Sequence, residues 1–233
     1  MRGFEKQRIG VLGGMGPAAT IDFMAKVRSA TPACRDQDHV PLIVHCVPQI
    51  PDRSTAVLAN TDAPLPHLMD GVRLLQDAGV QAIAIACNTA HHWHGRLQAQ
   101  ARVPILHIAD AVRDLLAQRA QPGLRVALMG TQGTRDCGLY DRLFSAGDGE
   151  LLMPDAPAQA AIERVIACVK AGDLVQARKA GAQAAELLLG SQGADLLLLA
   201  CTELPIAMQD SLYTARCIDA TQALAQACVR FSM

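Results

Sequence analysis

Gln81-Ala-Ile-Ala-Ile-Ala-Cys87-Asn88-Thr89-Ala90-His91 is an apolar run that ends on a thiol and then turns polar. Ala194-Asp-Leu-Leu-Leu-Leu-Ala-Cys201-Thr202-Glu203-Leu204 has the same build about half the chain later. Apolar runs of this length read as buried strands. Their likeness reads as one strand and its duplicated copy, so the two halves of the chain are expected to share a plan.

Working outward, strand-like and helix-like segments alternate. Arg8-Ile-Gly-Val-Leu12 leads into Gly13-Gly14-Met15-Gly16-Pro17 and a helix from about Ala18 to Ser29, where Pro17 suits the first helical turn. Leu42–Val47 reads as a strand closed by Pro48-Gln49-Ile50-Pro51-Asp52-Arg53. Pro64 to Ala78 has Leu68, Val72 and Leu75 on one helical face and stops at Gly79. After the first cysteine strand come a helix, the strand Pro104–Ile108 and a helix from Ala109 to Arg119. The second half echoes the order: Arg125–Gly130 with Thr131-Gln132-Gly133-Thr134 repeats Arg8–Pro17, and Cys217-Ile218-Asp219-Ala220 echoes Ile108-Ala109-Asp110-Ala111. This βαβ alternation predicts an α/β fold of two duplicated, pseudo-symmetric domains, each a mostly parallel sheet flanked by helices. The division expected is residues 1–103 with 215–233 as the first domain and 104–214 as the second, with a functional site in the cleft between them.

Composition narrows the partners. Half of the 233 residues are apolar but only 3% are aromatic, so Ala, Leu, Val and Ile must fill the core. The net charge is −1, with no basic or acidic block, which argues against nucleic acid and anionic membrane surfaces as partners. The longest apolar runs fall far short of the ~20 residues that span a bilayer. No CxxC spacing and no signal peptide stand out, so the eight cysteines are read as reduced thiols of a cytoplasmic protein.

Six of those thiols, Cys34, Cys46, Cys137, Cys168, Cys217 and Cys228, take the plain reading of core packing. Cys87 and Cys201 do not, because packing does not require a polar, Thr-bearing loop after both. In an open parallel sheet ligands gather beyond the carboxyl ends of the strands, where both cysteines and the Gly13–Gly16, Pro48–Arg53 and Gly130–Thr134 loops fall. Facing halves would bring these loops into one cleft. Two thiols on opposite sides of a small molecule suit inversion at an α-carbon: one removes the proton from one face and the other returns a proton to the opposite face.

At these residues the chain resembles the PLP-independent aspartate/glutamate racemase superfamily, and within it the aspartate racemase branch. The resemblance is carried by Gly13–Pro17, Pro48–Arg53, Ala86-Cys87-Asn88-Thr89-Ala90-His91, Gly130–Thr134, Val169-Lys170-Ala171-Gly172-Asp173 and Ala200-Cys201-Thr202-Glu203-Leu204, in family order over almost the whole chain. It implies an isomerase that interconverts L- and D-amino acids, aspartate or glutamate first, with Cys87 and Cys201 as the two acid/base residues and neither PLP nor metal. It implies Met15, Gln49, Arg53, Asn88, Thr89, Thr131, Lys170, Thr202 and Glu203 as substrate-binding residues, Arg53 and Lys170 against carboxylates, and a homodimer as the assembly. Relatives that replace one cysteine change substrate or reaction; both are present here, which favours racemisation. Ser54 stands where relatives often carry Thr, and His91-His92-Trp93-His94 is richer in rings than usual. Another amino acid or small carboxylate is the alternative substrate within the same superfamily.

Three other readings compete. Gly14-Met-Gly16-Pro-Ala-Ala19 fits G-x-G-x-x-A, with Asp36 or Asp38 near the spacing for a ribose contact in an NAD-dependent Rossmann oxidoreductase. Cys87 with His91, His92 or His94 could hold zinc, though at no established metal spacing. A two-lobed amino-acid-binding protein would share the duplication but has no need of paired thiols.

Overall fold

The chain folds as a computed structural model describing residues 6–119, 121–144, 149–209 and 211–233. Its first half runs β1 (Ile9–Gly13), α1 (Pro17–Ala30), β2 (Leu42–Cys46), α2 (Arg53–Leu58), α3 (Leu65–Asp77), β3 (Ala82–Ile85), α4 (His94–Gln98), β4 (Ile105–Leu106) and α5 (Ile108–Ala117). The second runs β5 (Leu124–Met129), α6 (Gln132–Asp136), β6 (Gly149–Leu152), α7 (Ala156–Lys170), α8 (Leu174–Glu186), β7 (Leu196–Leu199), α9 (Leu204–Met208), β8 (Cys217–Asp219) and α10 (Ala220–Ser232). The strands form two four-stranded sheets, ordered β2-β1-β3-β4 and β6-β5-β7-β8, with every pair parallel. The expected duplicated α/β architecture is therefore present.

In each half the chain steps from the first strand to one neighbour and then crosses to the other side. The strand order thus reverses between β1 and β3, and again between β5 and β7. Reversal points leave a crevice at the carboxyl ends of the two strands, because their following helices cover opposite faces.

Strand parity then decides which way each cysteine points. Ala82, Ala84 and Ala86 pack into the core between the sheets, whereas Ile83, Ile85 and Cys87 belong to the outer core under α3. In the second half Leu198 and Ala200 join the central core, and Leu197, Leu199 and Cys201 the outer core under α7 and α8. Side chains alternate faces along a strand, so a cysteine two residues beyond an outward leucine or isoleucine keeps that side. The small alanines let the central layer approach closely. That layer is built by α1, α5 and α10, with Phe23, Val112 and Leu224 buried beside Val126 and Leu128. The last helix crosses back onto α1 and α5, and Ser232 Oγ donates to Gln7 O at 2.7 Å.

Local signals are obeyed with small shifts. Pro17 opens α1, Leu68, Val72 and Leu75 are the buried stripe of α3, and Gly79 follows α3 at φ +78°. Gly14 has φ +93°, and a Cβ there would stand 2.3 Å from Val47 N, so no side chain fits this turn.

One expected echo is out of register. Ile83 pairs with Ile105, and its counterpart Leu197 pairs with Cys217, so the residue that corresponds to Asp219 is His107 and not Asp110. Both are helix N-caps: His107 Nδ1 accepts from Ala109 N at 3.2 Å, and Asp219 Oδ1 from Thr221 N and Gln222 N at 2.8 and 3.0 Å. Matching Asp110 to Asp219 placed β4 too late; that strand is two residues long and stops where α5 begins. Two of the six cysteines read as core are instead exposed: Cys34 lies in a loop and Cys46 ends β2, one of the sheet's two edge strands. All eight are free thiols. Among the described residues no helix is long and apolar enough to cross a membrane.

Candidate active site in the interlobe cleft

Past the end of β3, Ala86 N still donates to Leu12 O at 2.9 Å; past β7, Ala200 N donates to Met129 O at 2.7 Å. The sheet thus grips the residue before each cysteine, and the thiol follows at the point where pairing ends. Cys87 and Cys201 are 6% and 7% exposed and line one cavity with Met15, Asp52, Arg53, Ser54, Asn88, Thr89, Thr131, Lys170, Thr202 and Glu203. Every residue expected at the site is there except Gln49, which is exposed on the turn after β2 and lines neither this cavity nor its mouth. Asp52 and Ser54 are additions.

The cavity holds about 20 Å³, room for one water. Through Met15, Asp52, Arg53, Lys170 and Glu203 it meets a wider pocket of about 710 Å³ lined also by Gly14, Gly16, Pro48 and Gly172. The inner cavity as it stands is too small for an amino acid, whereas the adjoining pocket is large enough.

Contacts across the cleft explain how it is shut. Thr89 Oγ1 lies 3.1 Å from Thr131 Oγ1 and 2.7 Å from Thr134 Oγ1, joining the first lobe to the second through hydroxyls. Gly133 N donates to Ser54 Oγ at 2.8 Å, and a Cβ on Gly133 would come within 2.6 Å of Ser54 Cα. On the other side Gly16 N donates to Glu203 Oε1 at 3.1 Å.

Charge is distributed unevenly. Cys201 donates its S–H to Glu203 Oε2 at 3.1 Å, and Thr202 Oγ1 donates to the same oxygen at 3.2 Å. Burial, then the Glu203 charge and hydrogen bond, and then neighbouring Cys87 push the Cys201 thiol well above the usual thiol range, against a smaller opposing pull from the Glu203 backbone. Burial alone would raise the Asp52 carboxyl; the Thr55 amide and hydroxyl and the Arg53 and Lys170 charges bring it below its ordinary value.

Arg53 is buried and holds loops rather than a carboxylate. Nη1 donates to Ile50 O and Pro51 O at 3.0 and 3.1 Å, and Nη2 to Met15 O at 3.1 Å. Its Nε is buried without an acceptor among the described residues. Asn88 Oδ1 accepts from the buried Tyr140 hydroxyl, while Asn88 Nδ2 is likewise buried without an acceptor. Buried donors are normally satisfied, so these two, on residues that line the cavity, have hydrogen-bonding capacity left over.

The histidines form a separate cluster behind Cys87. His91 Nδ1 is 2.9 Å from Cys87 O, so it donates to that carbonyl; the His91 ring stacks on His94 at 5.9 Å and meets His107 edge-on at 5.2 Å. Burial first, then His107 and His94, lower His91 to about 3, and burial, His94 and Arg142 lower His107 to about 4. Both rings are neutral at neutral pH, and among the described residues no group of three or more His, Cys, Asp or Glu is placed to hold a metal ion. The unfolded chain takes up protons as pH falls through ~6.5, while buried His91 refuses them down to about 3. Its contribution is therefore complete above pH ~6.5 and lost below it, at about 1.4 kcal/mol per pH unit. Urea unfolding of His91→Gln, which keeps a donor for Cys87 O, should show a shallower decline between pH ~6.5 and ~4 than the parent. Parallel declines would contradict this account of the cluster.

The dinucleotide reading fails on placement. Asp36 and Asp38 sit in a turn before β2, at the amino end of the sheet, and Asp38 pairs with Arg35 at 2.8 Å. A ribose at the Gly14 loop would be at the opposite end.

Comparison with known proteins bears on the family and the fold. The Asp/Glu/hydantoin racemase family matches residues 12–228. The broad-specificity amino-acid racemase RacX of Bacillus subtilis is 29% identical over 231 residues, covering 95% of this chain and 96% of that protein. The Picrophilus torridus aspartate racemase structure is similar with a TM-score of 0.85 and 31% identity over 97% of this chain and 94% of its own. Glutamate racemase of Campylobacter jejuni shares the fold at a TM-score of 0.64 and 18% identity, covering 94% of this chain and 82% of that one.

Proposed function

We propose, for a chain that belongs to the Asp/Glu/hydantoin racemase family, a two-thiol mechanism acting on an acidic amino acid. The enzyme is an amino-acid racemase, an isomerase. Cys87 and Cys201 exchange the α-proton on opposite faces: one thiolate removes it, the other thiol supplies its replacement, and the roles reverse for the opposite enantiomer. The observation that carries this reading is the pairing of two buried thiols, at equivalent strand ends, across one cavity.

The binding groups support a dicarboxylate. Arg53 has Nε–H and one Nη2 proton left after its three carbonyls, a donor set suited to a carboxylate. Lys170, at the end of α7, supplies a second positive charge from the opposite lobe. Asn88 Nδ2 offers a neutral donor, and Thr131 and Thr202 line the same walls. Two cations for one small substrate favour aspartate or glutamate over a monocarboxylic amino acid. The substrate enters from the wider pocket beside Met15, and the lobes close on it. We further take the enzyme to be a cytoplasmic homodimer, as the family resemblance implies, with neither PLP nor metal in the reaction.

Chiral chromatography over a panel of L- and D-amino acids tests the reading. Aspartate or glutamate should racemise fastest, by about tenfold or more over alanine, since a second carboxylate gains a charge-assisted hydrogen bond worth about 1.5–3 kcal/mol that alanine lacks. Racemisation of apolar amino acids alone would contradict the dicarboxylate assignment, and none at all would contradict the function.

A further inference from the structure

Two positions beyond each cysteine a side chain crosses the cleft, and the two differ in charge. After Cys87 it is Thr89, whose hydroxyl meets Thr131 and Thr134. After Cys201 it is Glu203, whose carboxylate takes the Cys201 S–H on one oxygen and the Gly16 N–H of the opposite lobe on the other. Among the described residues no hydrogen bond joins Cys87 Sγ to a carboxylate. Glu203 is only 2% exposed, so its charge acts on the thiol with little screening. With both oxygens engaged by protein groups, it is also poorly placed to hold an anionic substrate.

Resting on the two-thiol reading, we propose that Glu203 is a positioning residue that gives the thiol pair its polarity, holding Cys201 as the resting proton donor and leaving Cys87 as the resting base. In the forward step the α-carbon–hydrogen bond breaks and an S–H bond forms on Cys87. The electron pair left on carbon takes the proton of Cys201 on the other face, so Cys201 becomes a thiolate facing a carboxylate. That like-charge contact is relieved when a proton returns to Cys201 and leaves Cys87, through water admitted as the cleft opens. Because Glu203 also bonds Gly16, the same carboxylate couples closure of the lobes to the protonated state of Cys201.

The groups that face Cys201 are Glu203 on its own segment, Cys87 beyond β3, Asp52 and Arg53 at α2, Lys170 at the end of α7, and Tyr140. Of these Glu203 is the one bonded to its sulfur. The direction in which the thiol is shifted, upward, agrees with that contact.

The experiment is the pH profile of kcat/KM for Glu203→Gln against the parent enzyme. Gln keeps the size and an acceptor but removes the charge. The alkaline limb, set by loss of the Cys201 proton, should move down by about one pH unit or more, while the acid limb stays in place. A lower rate with both limbs unmoved would show that Glu203 is merely structural and overturn the proposal. If the variant does not fold, iodoacetamide labelling of the parent, read at both Cys87 and Cys201 by mass spectrometry, decides. The two thiols are equally buried, so half-maximal labelling of Cys201 at a higher pH than Cys87 supports the proposal, and labelling at the same or a lower pH overturns it. Labelling needs no turnover, so an enzyme inactive on every amino acid would sink the racemase reading while leaving this measurement valid.

Discussion

Cys201→Ala should lose racemisation by about 10²–10⁴-fold, and Cys87→Ala by a similar factor, with both proteins still folded. The thiols lie past the ends of β7 and β3, after the last sheet hydrogen bonds at Ala200 and Ala86, so neither carries strand pairing. Loss of a sulfur there costs about 1 kcal/mol, the typical effect of a single substitution. The two variants should nevertheless differ in one respect that a folding defect cannot imitate. With Cys201 gone, Cys87 can still remove an α-proton from the face it sees and return one from solvent to the same face. In heavy water that variant should exchange the α-hydrogen of one enantiomer without inverting it, and Cys87→Ala should do so for the other. An unimpaired rate in either variant would remove the two-thiol mechanism.

Arg53→Gln should be the most damaging substitution outside the thiol pair. The guanidinium ties Met15 of the β1–α1 loop to Ile50 and Pro51 before α2, so it shapes the cleft before any substrate arrives. Leaving buried carbonyls unsatisfied costs about 1–3 kcal/mol each, and partial rescue by the amide leaves a net loss of about 2–4 kcal/mol. For a chain of this size that is a fall in Tm of about 4–16 °C. The KM should rise about 10²-fold or more at the same time, since the charge proposed to face the substrate carboxylate is gone. Arg53→Lys should not rescue either quantity, because one ammonium cannot span three carbonyls and still offer an Nε-type donor. Calorimetry with steady-state kinetics checks both; normal stability with normal KM would refute the dual role.

The cysteine strands, the glycine turns and the alternation of strands with helices were legible because each has a local cause. Apolar runs mark buried parallel strands, and Gly14 answers to a backbone that no side chain can follow. The cleft residues were legible mainly through their resemblance to a family. What escaped were contacts between segments far apart in the chain: Tyr140 on Asn88, Ser54 on Gly133, and Glu203 between Cys201 and Gly16. No periodicity encodes such pairs. The misplaced echo at β4 has the same origin, since a two-residue strand carries too little pattern to fix its own register. Likewise nothing in the sequence around Cys46 distinguishes an edge strand from a central one, and its exposure appears only once β2 is seen to have one neighbour.

The central claim is that two different groups handle the α-proton. Early conversion of a single enantiomer of the preferred substrate in heavy water, followed by proton NMR after chiral separation, tests it directly. Two bases predict that the product carries deuterium at the α-carbon while the unreacted substrate keeps its hydrogen, so that hydrogen loss and inversion proceed at one rate. Substrate that gains deuterium as fast as product forms, or product that retains the original hydrogen, would mean that a single group serves both faces.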